Sequence, residues 1–301
     1  MEAFDPVAED LIDPRSEPER LADGFVFTEG PVWDFTGRNL TFVDLAGDAM
    51  YRYDEANGCG LYRKPSSFAN GLAIDREGRL VSCEHQTRRI TREAAGGIEV
   101  VVDSYRGKRL NAPNDVLVAS DGSIVFTDPH YGLTEGFGGP GEQELPFRGV
   151  YRVPYGSEEP ELMVDDFQGP NGLALSPDET KLYVDDSELG HVRVFDVGED
   201  WSLSGGEVLV KLPNEGEGVP DGLKVDVAGN IYCTGPGGVW ICSPDGSLLG
   251  LIRFDEVAAN LAWGDDDAGS MYITASTSLY RLRCRTKGHA PHRGWASATN
   301  S

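Results

Sequence analysis

Short apolar runs of β-like character recur along the chain, and six of them open on a Glu, Asn or Asp residue. In each repeat the first run leads through a tight turn into a second run, and a third follows in most repeats. The six starts are 39 to 57 residues apart by subtraction of their numbers: EGPVWD at Glu29, NGLAID at Asn70, NDVLVA at Asn114, NGLALS at Asn171, DGLKVD at Asp221 and NLAWGD at Asn260. Repeats of about this length are typical of β-propeller blades.

We therefore predict an all-β fold, a six-bladed β-propeller with four-stranded blades, over residues 25–285. Residues 1–24 lack convincing periodicity and are expected to form a short N-terminal arm, with one helical turn around Ala8 to Ile12. Residues 286–301 are expected to form a C-terminal tail. A propeller sets equivalent positions of every blade around one axis, so the six oxygen-bearing side chains are expected to converge there.

The longest interval between repeats contains an inserted segment, Tyr131 to Arg148, which is rich in Gly. It lies between the predicted second and third strands of its blade. A long irregular loop in a compact domain is more often functional than structural. We treat the segment as a candidate rim or lid over the axis.

The charge balance narrows the range of partners. The chain has 26 basic and 50 acidic residues and a formal net charge of −24, which argues against nucleic acid or an anionic membrane as a partner. Its five cysteines are scattered and form no C-x-x-C pair, so neither a disulfide framework nor a zinc ribbon is indicated. The N-terminus has no apolar stretch after a basic start, which favours the cytoplasm, or the periplasm if a signal peptide has been removed. We expect a monomer or a homodimer.

The repeat-start residues have two interpretations. Asn-Gly and Asp-Gly pairs are common turn formers, so Asn70, Asn171 and Asp221 could simply mark turns. Glu29 is a poor turn residue, however, and Asn114 precedes Asp rather than Gly. The feature that all these positions share is a side-chain oxygen, which a turn does not require.

Carboxylate and amide oxygens without clustered His or Cys are hard ligands, suited to Ca²⁺, Mg²⁺ or Mn²⁺. Glu29 and Asp221 would neutralise a divalent ion, and Asn114 and Asn171 would add neutral ligands. A cation held in this way polarises a carbonyl and stabilises the oxyanion formed when water attacks it. This pattern favours a hydrolase.

Three further residues are candidates for the chemistry. Asp128 and His130 lie in FTDPHYG, where a second strand meets the inserted segment, and the insertion could seal Asp128 from water. Arg109, in KRLNAPND, could bind an anionic or polyhydroxylated substrate. A rim histidine and a plain surface arginine are the competing interpretations of His130 and Arg109.

Four segments together resemble the SMP-30/gluconolactonase family, also known as regucalcin-like lactonases. They are TEGPVWD at 28–34, RLNAPNDVLVASDGSIVFTDPHYG at 109–132, GPNGLALSPDETKLYVDDS at 169–187 and PDGLKVDVAGNIYC at 220–233. The forms NAPNDV and TDPHYG are closer to the bacterial gluconolactonases than to the animal proteins. The resemblance implies a six-bladed propeller that carries one divalent cation on its axis and hydrolyses a sugar lactone to the aldonic acid.

The resemblance also implies roles for individual residues. Glu29, Asn171 and Asp221 would be metal ligands, and Asn114 would be a ligand or a substrate contact. The ion would be Ca²⁺, or else Mg²⁺, Mn²⁺ or Zn²⁺. Asp221 or Asp128 would be the base that activates water. Arg109 and His130 are retained as substrate contacts, although Ala112 occupies the place where the animal pattern has an arginine.

Two other functions remain open at this point. The same cation could serve an organophosphate or aryl-ester hydrolase, since an ion that polarises C=O also polarises P=O. Alternatively, the propeller could be a non-catalytic binding module in which the axial oxygens hold a structural ion. Fold alone does not decide among these functions.

Overall fold

The computed structural model describes residues 1–297 and is built almost wholly of β-strands. Three short elements precede the blades: β1 (Glu2–Ala3), α1 (Val7–Leu11) and β2 (Glu19–Asp23). The helix corresponds to the predicted helical turn. Residues 298–301, the end of the predicted tail, lie outside the described residues.

Six antiparallel sheets form the blades, which confirms the predicted six-bladed propeller. The first blade consists of β3 (Thr28–Asp34), β4 (Asn39–Asp44), β5 (Ala49–Asp54) and β6 (Gly58–Arg63), and the second of β7 (Ala69–Ile74), β8 (Leu80–Glu84), β9 (Arg89–Ala94) and β10 (Gly97–Val102). A hairpin of β11 (Ser104–Tyr105) and β12 (Lys108–Arg109) follows. The third blade consists of β13 (Val116–Val118), β14 (Ile124–Asp128), β15 (Arg148–Val153) and β16 (Glu161–Phe167).

The other three blades follow the same meander. The fourth blade consists of β17 (Pro170–Leu175), β18 (Lys181–Asp186), β19 (His191–Val197) and β20 (Leu203–Lys211). The fifth contains β21 (Leu223–Val225), β22 (Ile231–Gly235), β23 (Gly238–Cys242) and β24 (Leu248–Arg253), and the sixth contains β25 (Ala258–Gly264), β26 (Ser270–Ala275) and β27 (Ser278–Arg283). Two short 3₁₀ helices, Tyr131–Leu133 and Pro291–Ser297, complete the described elements.

The two ends of the chain close the ring together. Strand β2 pairs antiparallel with β27 and supplies the outermost strand of the sixth blade. Strand β1 pairs with β24 and widens the fifth blade to five strands. The innermost strands β3, β7, β13, β17, β21 and β25 contact one another in cyclic order around the axis. The segment predicted as an arm is thus hydrogen-bonded to two blades.

The apolar core lies between neighbouring blades. Successive side chains of a strand point to opposite faces of the blade, so the apolar side chains on each face pack against a neighbouring blade. Tyr232 of the fifth blade meets Trp263 of the sixth edge to face, with ring centroids 5.0 Å apart. Trp33 of the first blade stacks on Tyr272 of the sixth at 5.1 Å. All five cysteines are free, and four of them are buried.

The C-terminal segment crosses one end of the axis. The backbone N–H of His289 donates to the carbonyl of Val225 at 3.0 Å, and His292 Nε2 donates to the carbonyl of Trp33 at 2.9 Å. The small cavity left behind this segment, about 110 Å³, is lined by innermost strands of five blades. The central channel is therefore accessible from the opposite end. Within residues 1–297, no helix has the length and apolar character needed to cross a bilayer.

Candidate active site

The open end of the axis is a pocket of about 370 Å³. Five of the six repeat-start residues line it: Glu29, Asn70, Asn114, Asn171 and Asp221. The sixth, Asn260, donates from Nδ2 to Oε2 of Glu29 at 3.1 Å. The structure thus brings together side chains that are up to 231 residues apart in the sequence, as the repeat phase predicts.

The glycines that follow these residues are required by the neighbouring blade. Asn70-Gly71 and Asn171-Gly172 lie inside strands β7 and β17 and are not turns. A Cβ at Gly71 would come within 2.6 Å of the carbonyl oxygen of Asn114, and a Cβ at Gly172 within 2.0 Å of that of Asp221. Only glycine lets the innermost strands approach this closely. The turn interpretation of these Asn-Gly pairs is therefore wrong.

Glu29 is held on strand β3 with its carboxylate partly satisfied. Its Oε2 accepts the backbone N–H of Gly30 at 2.8 Å and the amide of Asn260. The oxygen of the same Asn260 amide accepts the N–H of Leu261 at 2.8 Å, which fixes its orientation. Asn260 therefore supports Glu29, and Oε1 is left as the oxygen of Glu29 that a ligand can use.

Asn171 and Asp221 are linked through one hydroxyl. The Nδ2 of Asn171 donates to Ser187 Oγ at 3.0 Å, and that hydroxyl donates to the carbonyl of Pro220 at 2.6 Å, next to Asp221. With Nδ2 engaged, the oxygen of the Asn171 amide is the atom left over. It is buried and accepts no hydrogen bond from any residue among 1–297.

The electrostatics of the pocket suit a bound cation. Burial raises the pKa of Glu29 to about 7. Burial, together with the nearby carboxylate of Glu29, also raises the pKa of Asp221 well above its usual range. Two buried carboxylates that repel each other beside an unpaired amide oxygen are a costly arrangement unless a cation is bound.

The donor set fits a hard divalent cation. Two carboxylates and the orphan oxygen of Asn171 are the oxygen ligands that such ions prefer, and Asn114 lines the same pocket. In the described part of the chain, no group of three or more His, Cys, Asp or Glu side chains is arranged to hold a metal. A cation here would depend on amide oxygens as well as on carboxylates.

His85 is a pocket residue that the sequence analysis did not assign. Its Nδ1 lies 2.7 Å from the carbonyl oxygen of Phe137, which can only accept, so Nδ1 carries the proton. Nε2 then accepts from Nδ2 of Asn70 at 3.3 Å, and the Oδ1 of Asn70 is left buried without a partner among the described residues. Burial lowers the pKa of His85 to about 4, so the ring is neutral at pH 7.

Three aspartates at the ends of second strands make the same kind of hydrogen bonds to the backbone of their own blade. Each accepts the backbone N–H groups of the residues three and two positions before the axial residue of its own blade; Asp44 also accepts the N–H of Gly47, and Asp186 those of Glu188 and Leu189. Asp44 accepts from Val26 and Phe27, ahead of Glu29; Asp128 from Asn111 and Ala112, ahead of Asn114; and Asp186 from Gln168 and Gly169, ahead of Asn171. The distances are 2.8–3.1 Å. We call these residues the carboxylate clamps; they fix the backbone that carries three of the axial side chains.

Asp128, Arg109 and His130 do not line the axial pocket. Both carboxylate oxygens of Asp128 are engaged in its clamp, and burial raises its pKa to about 7. Arg109 is exposed, and its Nη2 donates to the carbonyl of Thr87 at 3.0 Å. His130 is half-buried, with its ring centroid 4.8 Å from that of Tyr131. The structure therefore groups Asn114 with the metal-ligand candidates and leaves these three outside.

Several pocket residues were missed by sequence reasoning. Leu45, His85 and Ser187 each directly follow the last residue of the second strand of a blade, and all three line the pocket. That shared position was a readable signal. The inserted segment adds Tyr131, Thr134 and Phe137. Nothing in the sequence pattern shows which of its side chains turn toward the axis.

A charged layer lies beneath the pocket and was also missed. Asp115 and Asp185 are buried, and Lys224 Nζ lies 3.4 Å from Oδ2 of Asp115. Burial raises the pKa of Asp185 well above its usual range. Lys224 lines the small cavity at the closed end of the axis. Lys224 thus places a charged group at the closed end of the axis, paired with a buried aspartate.

Fold and site together define a six-bladed propeller with an axial pocket that is open at one end and carries a group of oxygen-bearing side chains. The chain belongs to the SMP-30/gluconolactonase/LRE-like family, whose sequence model matches residues 27–277. The family resemblance of the sequence segments is confirmed.

Individual relatives agree with this assignment. The chain is 32% identical to a gluconolactonase from Zymomonas mobilis, over 95% of this chain and 86% of that protein. It is 26% identical to a pentonolactonase from Haloferax volcanii, over 82% and 81% of the two chains. A solved gluconolactonase from Xanthomonas campestris superposes with a TM-score of 0.88 at 34% identity, covering 94% of each chain. A calcium-binding regucalcin from Agrobacterium tumefaciens, at 16% identity and a TM-score of 0.76, shares the fold.

Proposed function

We propose that this protein is a metal-dependent lactonase that opens an aldonolactone, such as gluconolactone, to the aldonic acid. The observation that carries the proposal is the group of oxygens on the axis: the buried carboxylates of Glu29 and Asp221, which repel each other, beside the amide oxygen of Asn171, which has no partner among the described residues. The gluconolactonase and pentonolactonase relatives support lactones as the substrate class.

Glu29, Asn171 and Asp221 would hold the cation, with Asn114 as a further ligand or as a substrate contact. Oxygen donors of this kind favour Ca²⁺, with Mg²⁺, Mn²⁺ or Zn²⁺ as alternatives. When bound, the ion supplies a Lewis acid that polarises the lactone carbonyl and stabilises negative charge on its oxygen. The hydrogen bonds of Asn260 and Ser187 orient two of these ligands in advance.

Asp221 is the better candidate for the base that takes a proton from the attacking water. It lines the pocket and lies next to the loop carbonyl that Ser187 fixes. Asp128, the other candidate, would have to release a backbone N–H before either oxygen could act. A positioned carboxylate in this role contributes roughly 10² to 10⁴ in rate.

The hydroxyl groups of a sugar lactone would find partners on one side of the pocket. Tyr131, Ser187 and Glu188 line that side and carry hydroxyl or carboxylate oxygens. Asn114 faces the same space from the floor. Arg109 and His130 would then contribute indirectly, by holding the base of the inserted segment, rather than by contacting the substrate.

A lactone panel tests the proposal. The purified protein is stripped with a chelator, divided, and reloaded with Ca²⁺, Mg²⁺, Mn²⁺ or Zn²⁺. Hydrolysis of glucono-δ-lactone, a pentonolactone and an aryl phosphotriester is followed by proton release. We expect lactone opening that is lost on chelation and restored by one of the ions, at a rate well above that for the phosphotriester. No lactone opened with any ion would overturn the proposal.

A further inference from the structure

The two sides of the axial pocket differ in chemistry. On one side are Phe27, Leu45 and Phe137, whose side chains carry no hydrogen-bonding group. The rings of Phe27 and Phe137 pack edge to face, with centroids 5.8 Å apart. We call these three residues the apolar wall. Val219, which is 48% exposed, extends the apolar lining on the side of the fifth blade.

The apolar wall is fixed before any substrate arrives. His85 Nδ1 donates to the carbonyl of Phe137, and the inserted segment packs its glycines on the same ring. A Cβ at Gly132 would come within 2.4 Å of His85 Cγ, and one at Gly138 within 2.9 Å of its Cβ. Farther along the segment, Lys108 Nζ donates to the carbonyl of Glu144 at 2.9 Å. These contacts anchor the inserted segment beside the pocket and hold the backbone of Phe137 at its place in the apolar wall.

A fixed apolar wall next to a polar floor selects for substrates with two kinds of surface. A hydroxyl placed against Phe27 or Phe137 would lose its hydrogen bonds to water and gain none in return. A methylene in the same place would be favoured roughly threefold to fourfold in binding, the value for burial of one CH₂ group. The lining therefore favours a carbon chain on this side of the pocket.

We propose that the protein also opens five- and six-membered lactones that carry a short alkyl chain on the ring carbon next to the ring oxygen. The chain lies along the apolar wall while the carbonyl faces Glu29, Asn171 and Asp221. This inference rests on the proposed lactonase function. Water adds to the carbonyl carbon and the acyl carbon–ring oxygen bond breaks; one proton of the water is transferred to the departing ring oxygen, and the other is released when the carboxylic acid ionises.

The test is a homologous series at one ring size. Values of kcat/KM are measured by proton release for δ-valerolactone and its methyl-, propyl- and pentyl-substituted homologues, with glucono-δ-lactone as the reference. We expect kcat/KM to rise roughly threefold per methylene up to the propyl chain. Phe137→Ala removes the side chain but keeps the carbonyl that binds His85, so we expect the slope to flatten, with a loss in kcat/KM that grows with the length of the alkyl chain.

Two variants complete the experiment. Phe137→Leu keeps an apolar side chain and is expected to retain most of the slope. Leu61→Ala changes an exposed residue of strand β6, 60% accessible, and should leave every value unchanged. A flat series in the wild type, with gluconolactone still opened, would overturn this inference alone. An equal loss on all lactones in Phe137→Ala would overturn it too, whereas a protein that opens no lactone fails the proposed function instead.

Discussion

Asp221 and Asp128 are two aspartates for which sequence reasoning predicts the same role, yet their surroundings differ. Asp221 lines the axial pocket, where the carboxylate of Glu29 repels it. Asp128 is fully buried, and each of its oxygens accepts a backbone N–H at 2.8 Å. Burial raises the pKa of both. A raised pKa alone therefore does not mark a catalytic acid; the partners of the two oxygens distinguish the residues.

The carboxylate clamps explain why an aspartate is used at such a buried position. Asp44, Asp128 and Asp186 each hold the backbone just ahead of an axial residue. A carboxylate can accept several N–H groups at once, which an amide or hydroxyl cannot do with the same geometry. On this account the carboxylate clamps position the backbone that carries the axial side chains, whereas Asp221 itself lines the pocket and acts on the bound groups.

The largest expected effect separates the two aspartates directly. Asp221→Asn removes a metal ligand and the proposed base, so we expect kcat on glucono-δ-lactone to fall by roughly 10³ or more. Asp128→Asn leaves one backbone N–H without its acceptor and should cost roughly 1–3 kcal/mol of stability. Its kcat should stay within about tenfold of wild type. Steady-state kinetics and thermal unfolding of both variants check this.

The reverse pattern would break the comparison. If Asp128→Asn lost kcat as completely as Asp221→Asn while it still folded and bound metal, Asp128 would be the base. Asp186→Asn serves as a control, because Asp186 also accepts the N–H groups ahead of an axial residue and has no proposed chemical role; its loss of stability should be larger, since it holds the N–H groups of Glu188 and Leu189 as well.

The second prediction concerns the cation. Glu29→Gln should weaken divalent-ion binding by roughly a hundredfold or more, because it removes one of the two charged ligands. Asn260→Ala, which removes a hydrogen bond to Glu29 and leaves the ligand, should weaken it by about tenfold. Isothermal titration of the chelator-stripped proteins gives both values.

Stability without metal adds a second readout to the same pair of variants. In the metal-free protein, Glu29→Gln should be at least as stable as the wild type above pH 7, because it relieves repulsion between Glu29 and Asp221. Metal affinity unchanged in Glu29→Gln would place the ion elsewhere.

The third prediction is a pH dependence with a definite sign. The pKa of Glu29 is raised from 4.5 to about 7 in the folded chain, so between these values the native state holds a proton that the unfolded state has lost. The contribution of Glu29 to stability is therefore greatest below pH 4.5, falls as pH rises to 7, and is constant above it. Metal binding needs the deprotonated carboxylates, so stabilisation by a cation should increase over the same range.

Thermal unfolding from pH 5 to 8, with and without the cation, measures this effect. The gap between the two melting temperatures should widen with pH in the wild type and change less in Glu29→Gln. A gap that narrows as pH rises would contradict the assignment of Glu29 as a ligand.

The smallest effects are expected outside the pocket. Arg109→Ala and His130→Ala should each change kcat/KM for glucono-δ-lactone by no more than about threefold, since neither side chain lines the pocket. Parallel kinetics on Asn114→Ala, which does line it, provide the contrast. A tenfold rise in KM for Arg109→Ala would show that this arginine reaches the substrate.

Much of the architecture could be read from the sequence because each blade repeats one pattern. The phase of the repeat predicted six blades and placed six oxygen donors around one axis. It left the turn interpretation of the Asn-Gly pairs open, because the demand for glycine at Gly71 and Gly172 comes from the next blade. A contact between blades is not visible within one repeat.

The remainder of the site depends on long-range contacts that no periodicity records. His85 meets Phe137 across 52 residues, and Lys224 meets Asp115 across 109. The inserted segment breaks the repeat, so the phase that located Glu29 and Asp221 says nothing about which of its side chains face the axis. The sequence therefore predicted the axial residues of the pocket, but not the residues of the inserted segment that line its sides.

The central claim is that Glu29, Asn171 and Asp221 hold one divalent cation on which lactone opening depends. The most direct measurement is metal stoichiometry during reconstitution of the stripped wild-type protein, with activity on glucono-δ-lactone followed in the same samples. We predict that activity rises in proportion to occupancy and saturates at one ion per chain. Full activity in protein that retains no metal would contradict the account.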